Sequence, residues 1–341
     1  MIAMWQTKLL WKLAIVSFGL MGLTASADTV DPLVDRRDAQ MWLKKIQSAA
    51  QKLNYSGIFI YQQANQVRAS RITHVVDGKS ELGKLEILDG KPREYIRRDE
   101  EVACYIPESR TVLIDKRYTP DFFPAIPMAN SSDLADHYDL KKAGSGRVAG
   151  YDCQTIALEP KDNLRYGYRL WAEKNTGLLL RVQTVNERNT VVEQITFAQV
   201  AIGGFDKNSV RPSYANIGGW HVESTSTTQE NLSGWSVKTV PPGFRKIHEL
   251  KRLVPDNPVP NLAGNGVSAQ HEISQMVFSD GLAAISVFIE PGSQSRIEGS
   301  MQQGAINIVG KRQGDFWLTV VGEVPSAAIR QVANSIEFKP K

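Results

Sequence analysis

Two cysteines and five histidines are all that this 341-residue chain offers of the side chains that most often hold metals or act as nucleophiles and bases. His74, His137, His221, His248 and His271 stand far apart, with no i, i+4 pair and no glutamate companion for zinc. Neither Cys104 nor Cys153 has a His or a second Cys at ligand spacing, so no metal centre is expected. There is no G-x-S-x-G elbow and no local Cys–His arrangement, and nothing marks any two acids as a catalytic pair. No catalytic residue is assigned and no cofactor is expected. A triad scattered along the chain is the one enzymatic reading left open. An excess of one charge is missing as well: residues 28–205 carry 25 basic and 24 acidic groups, and residues 206–341 carry 13 and 12. Nucleic-acid binders concentrate positive charge on one face, so no nucleic acid is expected as a partner. Gly144–Gly150 has the glycine density of a phosphate loop but lacks the Lys-Ser/Thr ending and runs into a strand pattern.

Long apolar runs are also absent beyond the N-terminus. Lys8 and Lys12 precede the apolar segment Leu13–Leu23, and Ala25-Ser26-Ala27 supplies small residues for cleavage between Ala27 and Asp28. That is the pattern of a secretory signal peptide, too short to span a bilayer. An exported, soluble mature chain is the expectation. In an oxidising compartment a lone cysteine pair is most simply a disulfide, here Cys104–Cys153, worth roughly 4 kcal/mol on the chain-entropy model. Two buried free thiols are the alternative.

What the chain does contain is strand. In Arg165–Ala198, Tyr166, Tyr168, Leu170 and Ala172 alternate with Arg165, Gly167, Arg169 and Trp171, and Glu173–Gly177 forms a loop. Leu178–Val185 and Val191–Ala198 complete a three-stranded meander, which must hide one face. Upstream, Trp42, Ile46, Ala49 or Ala50, and Leu53 form a helical stripe with Asp38 as its candidate N-cap, followed by the strand Ile58–Tyr61. Further short strands are expected at Ser70–Val76, Leu85–Leu88, Glu94–Arg98, Val102–Ile106, Thr111–Ile114 and Cys153–Leu158. Tyr118–Met128, with three prolines and the pair Phe122-Phe123, cannot be a central strand and reads as a lid-like loop that plugs a groove, contacts a partner, or simply connects. Arg93, Arg97, Arg98, Arg110, Lys116 and Arg117 either rim a groove for anionic headgroups or form a solvated face neutralised by neighbouring acids. Residues 206–220 read as a linker. Beyond it, strands around Gln275–Ser279 and Ala283–Glu290 flank the turn Asp280-Gly281. Ala305–Gly310 and Phe316–Val321 form another pair, and a terminal helix starts near Pro325.

The runs LNYSGIFIY (Leu53–Tyr61), YRLWAEKNTGLLLR (Tyr168–Arg181), MVFSDGLAAISVFIEP (Met276–Pro291) and TVVGEVP (Thr319–Pro325) resemble the RseB/MucB family, periplasmic negative regulators of the sigma-E envelope-stress response. The resemblance implies a mainly β protein with α+β character: a LolA/LolB-like curled antiparallel sheet, or half-barrel, enclosing helix, plus a smaller C-terminal α+β domain. With the boundaries above, residues 1–27 are the signal peptide, 28–205 a lipid-sensing domain, 206–220 the linker and 221–341 an anti-sigma-factor-binding domain. It further implies a non-enzymatic protein that shields the periplasmic part of a membrane anti-sigma factor from proteolysis and is released by lipid, lipopolysaccharide or lipoprotein acyl chains. Self-association into a homo-oligomer is compatible with it. A lipid or lipoprotein carrier is the rival reading, and the second domain counts against it. Phe59, Tyr61, Tyr168, Trp171, Phe122 and Phe123 are the candidates to line a lipid groove. Phe278, Gly281, Phe288 and Gly304 are the candidates to meet the partner.

Overall fold

The alternation in residues 165–198 becomes three neighbouring strands of a twelve-stranded sheet in the computed structural model. The structure describes residues 32–116, 123, 131–214, 216–225, 227–228, 234–255, 270–292 and 296–339. The proposed cleavage site at Ala27 and Asp28 lies outside the described residues, as does Phe122.

Helix α1 (Pro32–Lys52) leads into β1 (Tyr55–Gln63), β2 (Gln66–Asp77), β3 (Ser80–Ile87), β4 (Arg93–Arg98), β5 (Glu101–Ile106) and β6 (Thr111–Lys116). After the short helix α2 (Ser131–His137) come β7 (Tyr138–Val148), β8 (Tyr151–Pro160), β9 (Gly167–Glu173), β10 (Leu179–Val185) and β11 (Val191–Ile202). Each group is a meander. They are stitched by antiparallel pairing of β1 with β11, giving the order β6-β5-β4-β3-β2-β1-β11-β10-β9-β8-β7. A twelfth strand, β12 (His221–Thr225), adds parallel to β6. Gly144 and Gly146 lie within β7, the first at an irregularity in its pairing with β8, and Gly150 lies in the β7–β8 turn, so these glycines build a strand and its hairpin and no phosphate cradle.

Helix α1 lies against this sheet, inserting Ala39, Leu43 and Ile46 into a core shared with Tyr55, Ile72, Ile156 and Leu170. Starting at Pro32, the helix makes Asp38 an interior residue rather than an N-cap, and its carboxylate lies 3.5 Å from Lys142 Nζ. Leu43 takes the innermost position expected for Trp42, which is only partly buried beneath Lys45. At Gly57 the Phe197 ring crosses β1 so closely that a Cβ would stand 2.7 Å from Phe197 Cε1 and 2.5 Å from the Gln199 carbonyl. Only glycine lets the two strands and that ring occupy the same place.

The second sheet runs β13 (Thr227–Thr228), β15 (Arg245–Pro255), β16 (Gln270–Ser279), β17 (Ala284–Pro291), β20 (Phe316–Gly322), β19 (Ile306–Gln313) and β18 (Gly299–Gln303), all antiparallel. Helix α3 (Ser326–Asn334) buries Ala328, Ile329, Val332 and Ala333 in its core, and β14 (Trp235–Val237) pairs with β21 (Ile336–Phe338).

The stretch 206–220, expected as a linker, is laid against the large sheet. Lys84 Nζ donates to Ser213 Oγ (2.8 Å) and to the Arg211 carbonyl (3.2 Å), while Glu94 accepts from Ser213 N–H at 2.8 Å. Lys84 and Glu94 are buried and 3.3 Å apart, each the other's counter-charge. Tyr105, Tyr214 and Trp220 form an aromatic cluster with centroid separations of 5.4–6.3 Å, Tyr105 stacked on Tyr214 and Trp220 set edge-on to Tyr105. Residues 207–222 are therefore a strap along the sheet.

The expected disulfide is not formed. Cys104 on β5 and Cys153 on β8 are free thiols, eight strand positions apart in the sheet order. Bridging needs Cα atoms within about 7 Å, and β5 and β8 are not neighbours in the sheet. Burial raises the Cys104 thiol and pushes Cys153 up to about 11, so both are neutral near pH 7. Alkylation of the denatured protein without reductant should find two thiols per chain, with Cys153 protected in the native state. A count of zero would contradict this arrangement.

Candidate functional site

The inner face of β1 leads from the core of the large sheet to the second lobe. Phe59 meets Phe197 (6.2 Å between centroids) and Phe123 (5.5 Å), and Phe123 meets Phe197 at 5.0 Å. Phe123, from the proline-rich segment, is thus inserted into the core, as a plug would be. Two positions after Phe59, the Tyr61 hydroxyl donates to Glu193 (3.2 Å), and the Gln63 amide donates to the same carboxylate oxygen at 3.2 Å. Gln63 in turn lies so close to Gly304, in the β18–β19 turn, that a Cβ there would fall 2.1 Å from Gln63 Cγ. Gly304, at φ +58°, is required both for the turn and for this approach.

Glu193 is buried at 7% exposure and faces Glu323, which follows β20 and keeps solvent access on one side. Burial, then the Glu323 charge, pushes the Glu193 carboxyl up to about 7, against the partial relief of its two hydrogen bonds. Burial raises Glu323 as well.

Beside this acid pair sits the principal contact between the lobes. Arg165, in the β8–β9 connection, is fully buried and donates Nη1 to Asp280 Oδ2 at 2.7 Å. Its Nη2 donates to the Pro242 carbonyl at 2.5 Å and its Nε to both Asp162 oxygens at 3.1 Å. Asp280, in the β16–β17 turn, also accepts from Tyr138 Oη (3.2 Å) and from the N–H groups of Leu282 and Ala283 (3.0 and 2.9 Å). The guanidinium lies over the rings of Tyr138 and Phe244, at 5.4 and 5.6 Å. Burial alone would lower the Arg165 pKa; the Asp162 hydrogen bonds and the Asp280 charge reverse the sign and raise it. The lobes also exchange apolar residues: Leu282 packs on the first core and Leu164 on the second. Asn307 Nδ2 closes the contact, donating to Tyr166 Oη (3.1 Å) and to the Val324 carbonyl (2.9 Å).

The residues singled out from sequence are divided by this geometry. Phe59, Phe123 and Tyr61 lie along one path. Tyr168 is buried nearby against Tyr138, at 6.3 Å. Trp171, three residues on, points to the other side of β9, close over Gly146 and beneath Arg181, so it does not share the Tyr168 face. Phe278 is buried in the second core and cannot meet a partner directly. Gly281 is buried in the Asp280 turn, and Gly304 is occupied by Gln63. Phe288 alone of those four is a half-buried side chain. Arg165, Asp280 and the Glu193–Glu323 pair were missed. The Asp-Gly turn between two apolar strands was visible only as turn chemistry, and an arginine preceding Tyr166–Tyr168 carries no local mark of burial. Among the described residues no cluster of three or more metal-binding side chains occurs.

These features define a two-lobed, mainly β protein whose curled large sheet and smaller α+β lobe are locked by a buried ionic contact. The MucB/RseB N-terminal domain matches residues 38–215 and the MucB/RseB C-terminal domain residues 229–337, and the chain belongs to the MucB/RseB family. It is 29% identical over 311 residues to the sigma factor AlgU regulatory protein MucB of Pseudomonas aeruginosa, covering 89% of this chain and 92% of that one. It is 26% identical over 304 residues to the sigma-E factor regulatory protein RseB of Haemophilus influenzae, covering 88% and 91%. The crystal structure of MucB in complex with MucA(peri) superposes with a TM-score of 0.68 at 27% identity, over 89% of this chain and all of that one.

Two outcomes follow from the junction. Removing one partner of the buried pair strands the other charge, so Arg165→Met should cost about 3–5 kcal/mol in urea denaturation. Adding Asp280→Asn, which keeps an acceptor for the turn amides, should recover much of that loss. For Glu193 the folded pKa is raised, so its contribution favours the fold below its ordinary value of 4.5 and is lost as pH rises through about 7. Stability should therefore fall across pH 4.5–7, and Glu193→Gln should remove that slope and stabilise the protein at pH 8 by on the order of 2 kcal/mol. An unchanged slope in the variant would contradict the assignment.

Proposed function

We propose that this chain is a non-enzymatic periplasmic regulator: it binds the periplasmic part of a membrane anti-sigma factor, shields it from proteolysis, and lets go when acyl chains of lipopolysaccharide or lipoprotein enter its large lobe. The observation that carries this reading is the end-to-end match, in both lobes, to MucB, which has been solved in complex with MucA(peri). Several relatives over this length are named regulatory proteins and none of those cited is named an enzyme. Export through cleavage after Ala27, and a LolA-like half-barrel character for residues 28–205, belong to the same proposal. A carrier would need only the large lobe, whereas here the second lobe contributes Asp280 to a buried contact.

The partner segment pairs with an edge of the second sheet. Strand β18 ends that sheet, all five of its residues are exposed, and Met301 and the preceding Ile297 are 59% and 91% exposed. An unpaired edge with apolar side chains is a template for strand addition. On the other side of the junction, the acyl chain takes the place of Phe123 against Phe59 and Phe197. Burial of each methylene is worth about 0.8 kcal/mol, enough for part of one chain to compete with a single phenylalanine.

Full-length protein should bind the immobilised periplasmic segment of its anti-sigma factor and protect it from site-specific proteolysis, and added lipopolysaccharide should reverse both. Met301→Glu should weaken segment binding about tenfold with an unchanged thermal midpoint. No binding by the intact chain would refute the regulator reading. Binding indifferent to lipopolysaccharide and to triacylated peptide would refute the release step alone.

A further inference from the structure

On the opposite face of the large sheet from Phe59, the strap 207–222 and strands β3–β6 enclose a cleft of about 660 Å³. Its floor is apolar, set by Leu82, Ile96, Ala103 and Ile114, and the strap adds Val210 and Pro212. That volume lies within the roughly 300–1,000 Å³ of small-molecule sites.

The charges at its rim are not balanced. Lys207 is matched by Asp77 at 3.8 Å, and Arg97 by Glu81 at 3.2 Å. Glu101 also lines the cleft and stands opposite Arg98 in the β4–β5 register. Arg98 and Arg211 both line the cleft and are exposed, and among the described residues neither guanidinium has a carboxylate partner or a hydrogen bond. Arg211 is presented by a strap whose neighbouring residues are fixed through Lys84, Glu94 and Ser213.

An apolar floor under two exposed guanidinium groups, neither held in an ion pair, is complementary to one kind of small molecule. We propose that this cleft binds a single-chain anionic amphiphile, its hydrocarbon on Leu82, Ile96 and Ile114 and its phosphate or carboxylate head between Arg98 and Arg211. Guanidinium groups match both heads with paired N–H donors. The site is distinct from the Phe59–Phe123–Phe197 cluster and does not depend on the regulator reading. Its position gives it leverage: the strap that forms one wall is the covalent connection between the lobes, and it runs straight into β12.

Four twelve-carbon probes below their micelle concentrations, titrated into the full-length protein, test the proposal: dodecyl phosphate, laurate, dodecyltrimethylammonium and dodecyl maltoside. The two anions should bind at least tenfold more tightly than the cationic and neutral probes, and their ratio identifies a phosphate or a carboxylate head as the better fit. The double change Arg98→Glu/Arg211→Glu, on exposed side chains, should abolish the anion preference while the thermal midpoint stays within a few degrees. A diazirine-bearing dodecyl phosphate should label peptides that contain Ile96, Ile114 or Pro212. Equal affinity for all four probes, an anion preference that survives the double charge reversal, or labelling confined to Phe59, Phe123 and Phe197 would each overturn it. Loss of anti-sigma-factor binding with the probe data intact would overturn only the function proposed above.

Discussion

A guanidinium removed from water must be given partners, and that requirement at Arg165 organises the molecule. Asp162 from its own lobe and Asp280 from the other supply the counter-charge, the Pro242 carbonyl accepts a further hydrogen bond, and two aromatic rings cover the faces. Four donors converge on Asp280. Neither charge can be left alone, since an unpaired buried ion costs several kcal/mol. Buried ion pairs add little net stability over an apolar contact of the same shape, but they tolerate few geometries. The contact therefore specifies one arrangement of the lobes more than it glues them together.

Around this fixed point lies a softer boundary. Gln63 against Gly304 and Glu193 against Glu323 place a hydrogen-bonded patch, with both carboxyls shifted upward, next to the rigid one. Strand β1 carries both this patch and Phe59, only four residues apart, so displacement of Phe123 and rearrangement at the junction act on the same element. Coupling between two sites needs a shared element with two arrangements, each favoured by a different ligand. The inner face of β1 is positioned to be that element. The strap 207–222 offers a second route between the lobes, pinned at Ser213 and at the Tyr105–Tyr214–Trp220 cluster.

Much of the architecture was legible in the chain. The meander at residues 165–198, the hairpin around Asp280-Gly281, the final strands and the helix after Pro325 all follow from alternation and turn chemistry, which are local signals. The strand Tyr138–Val148 was hidden by its glycines and lysines, because an edge strand exposes most of its residues and shows no clean alternation. Position along a curled sheet is not local at all: the count of two cysteines points to a Cys104–Cys153 pair, but they stand on strands eight positions apart and both are free thiols. The same blindness concealed the junction. Arg165 and Asp280 are 115 residues apart, and neither carries a local mark before the fold removes both from solvent. Phe278, apolar and next to a turn, looked like a surface anchor and is core, since a strand in a two-sided lobe buries its alternate residues.

The central proposal is that the junction transmits ligand state from the large lobe to the second lobe, where the partner is proposed to bind. Its most direct test is the ratio of the anti-sigma-factor Kd with saturating lipopolysaccharide to the Kd without it, measured in the native chain and in Arg165→Met/Asp280→Asn. The account predicts a ratio well above ten for the native chain, falling toward one in the variant while its lipid-free Kd changes little. The same ratio in both proteins would show that the lobes communicate, if they do, by some route other than the Arg165–Asp280 contact.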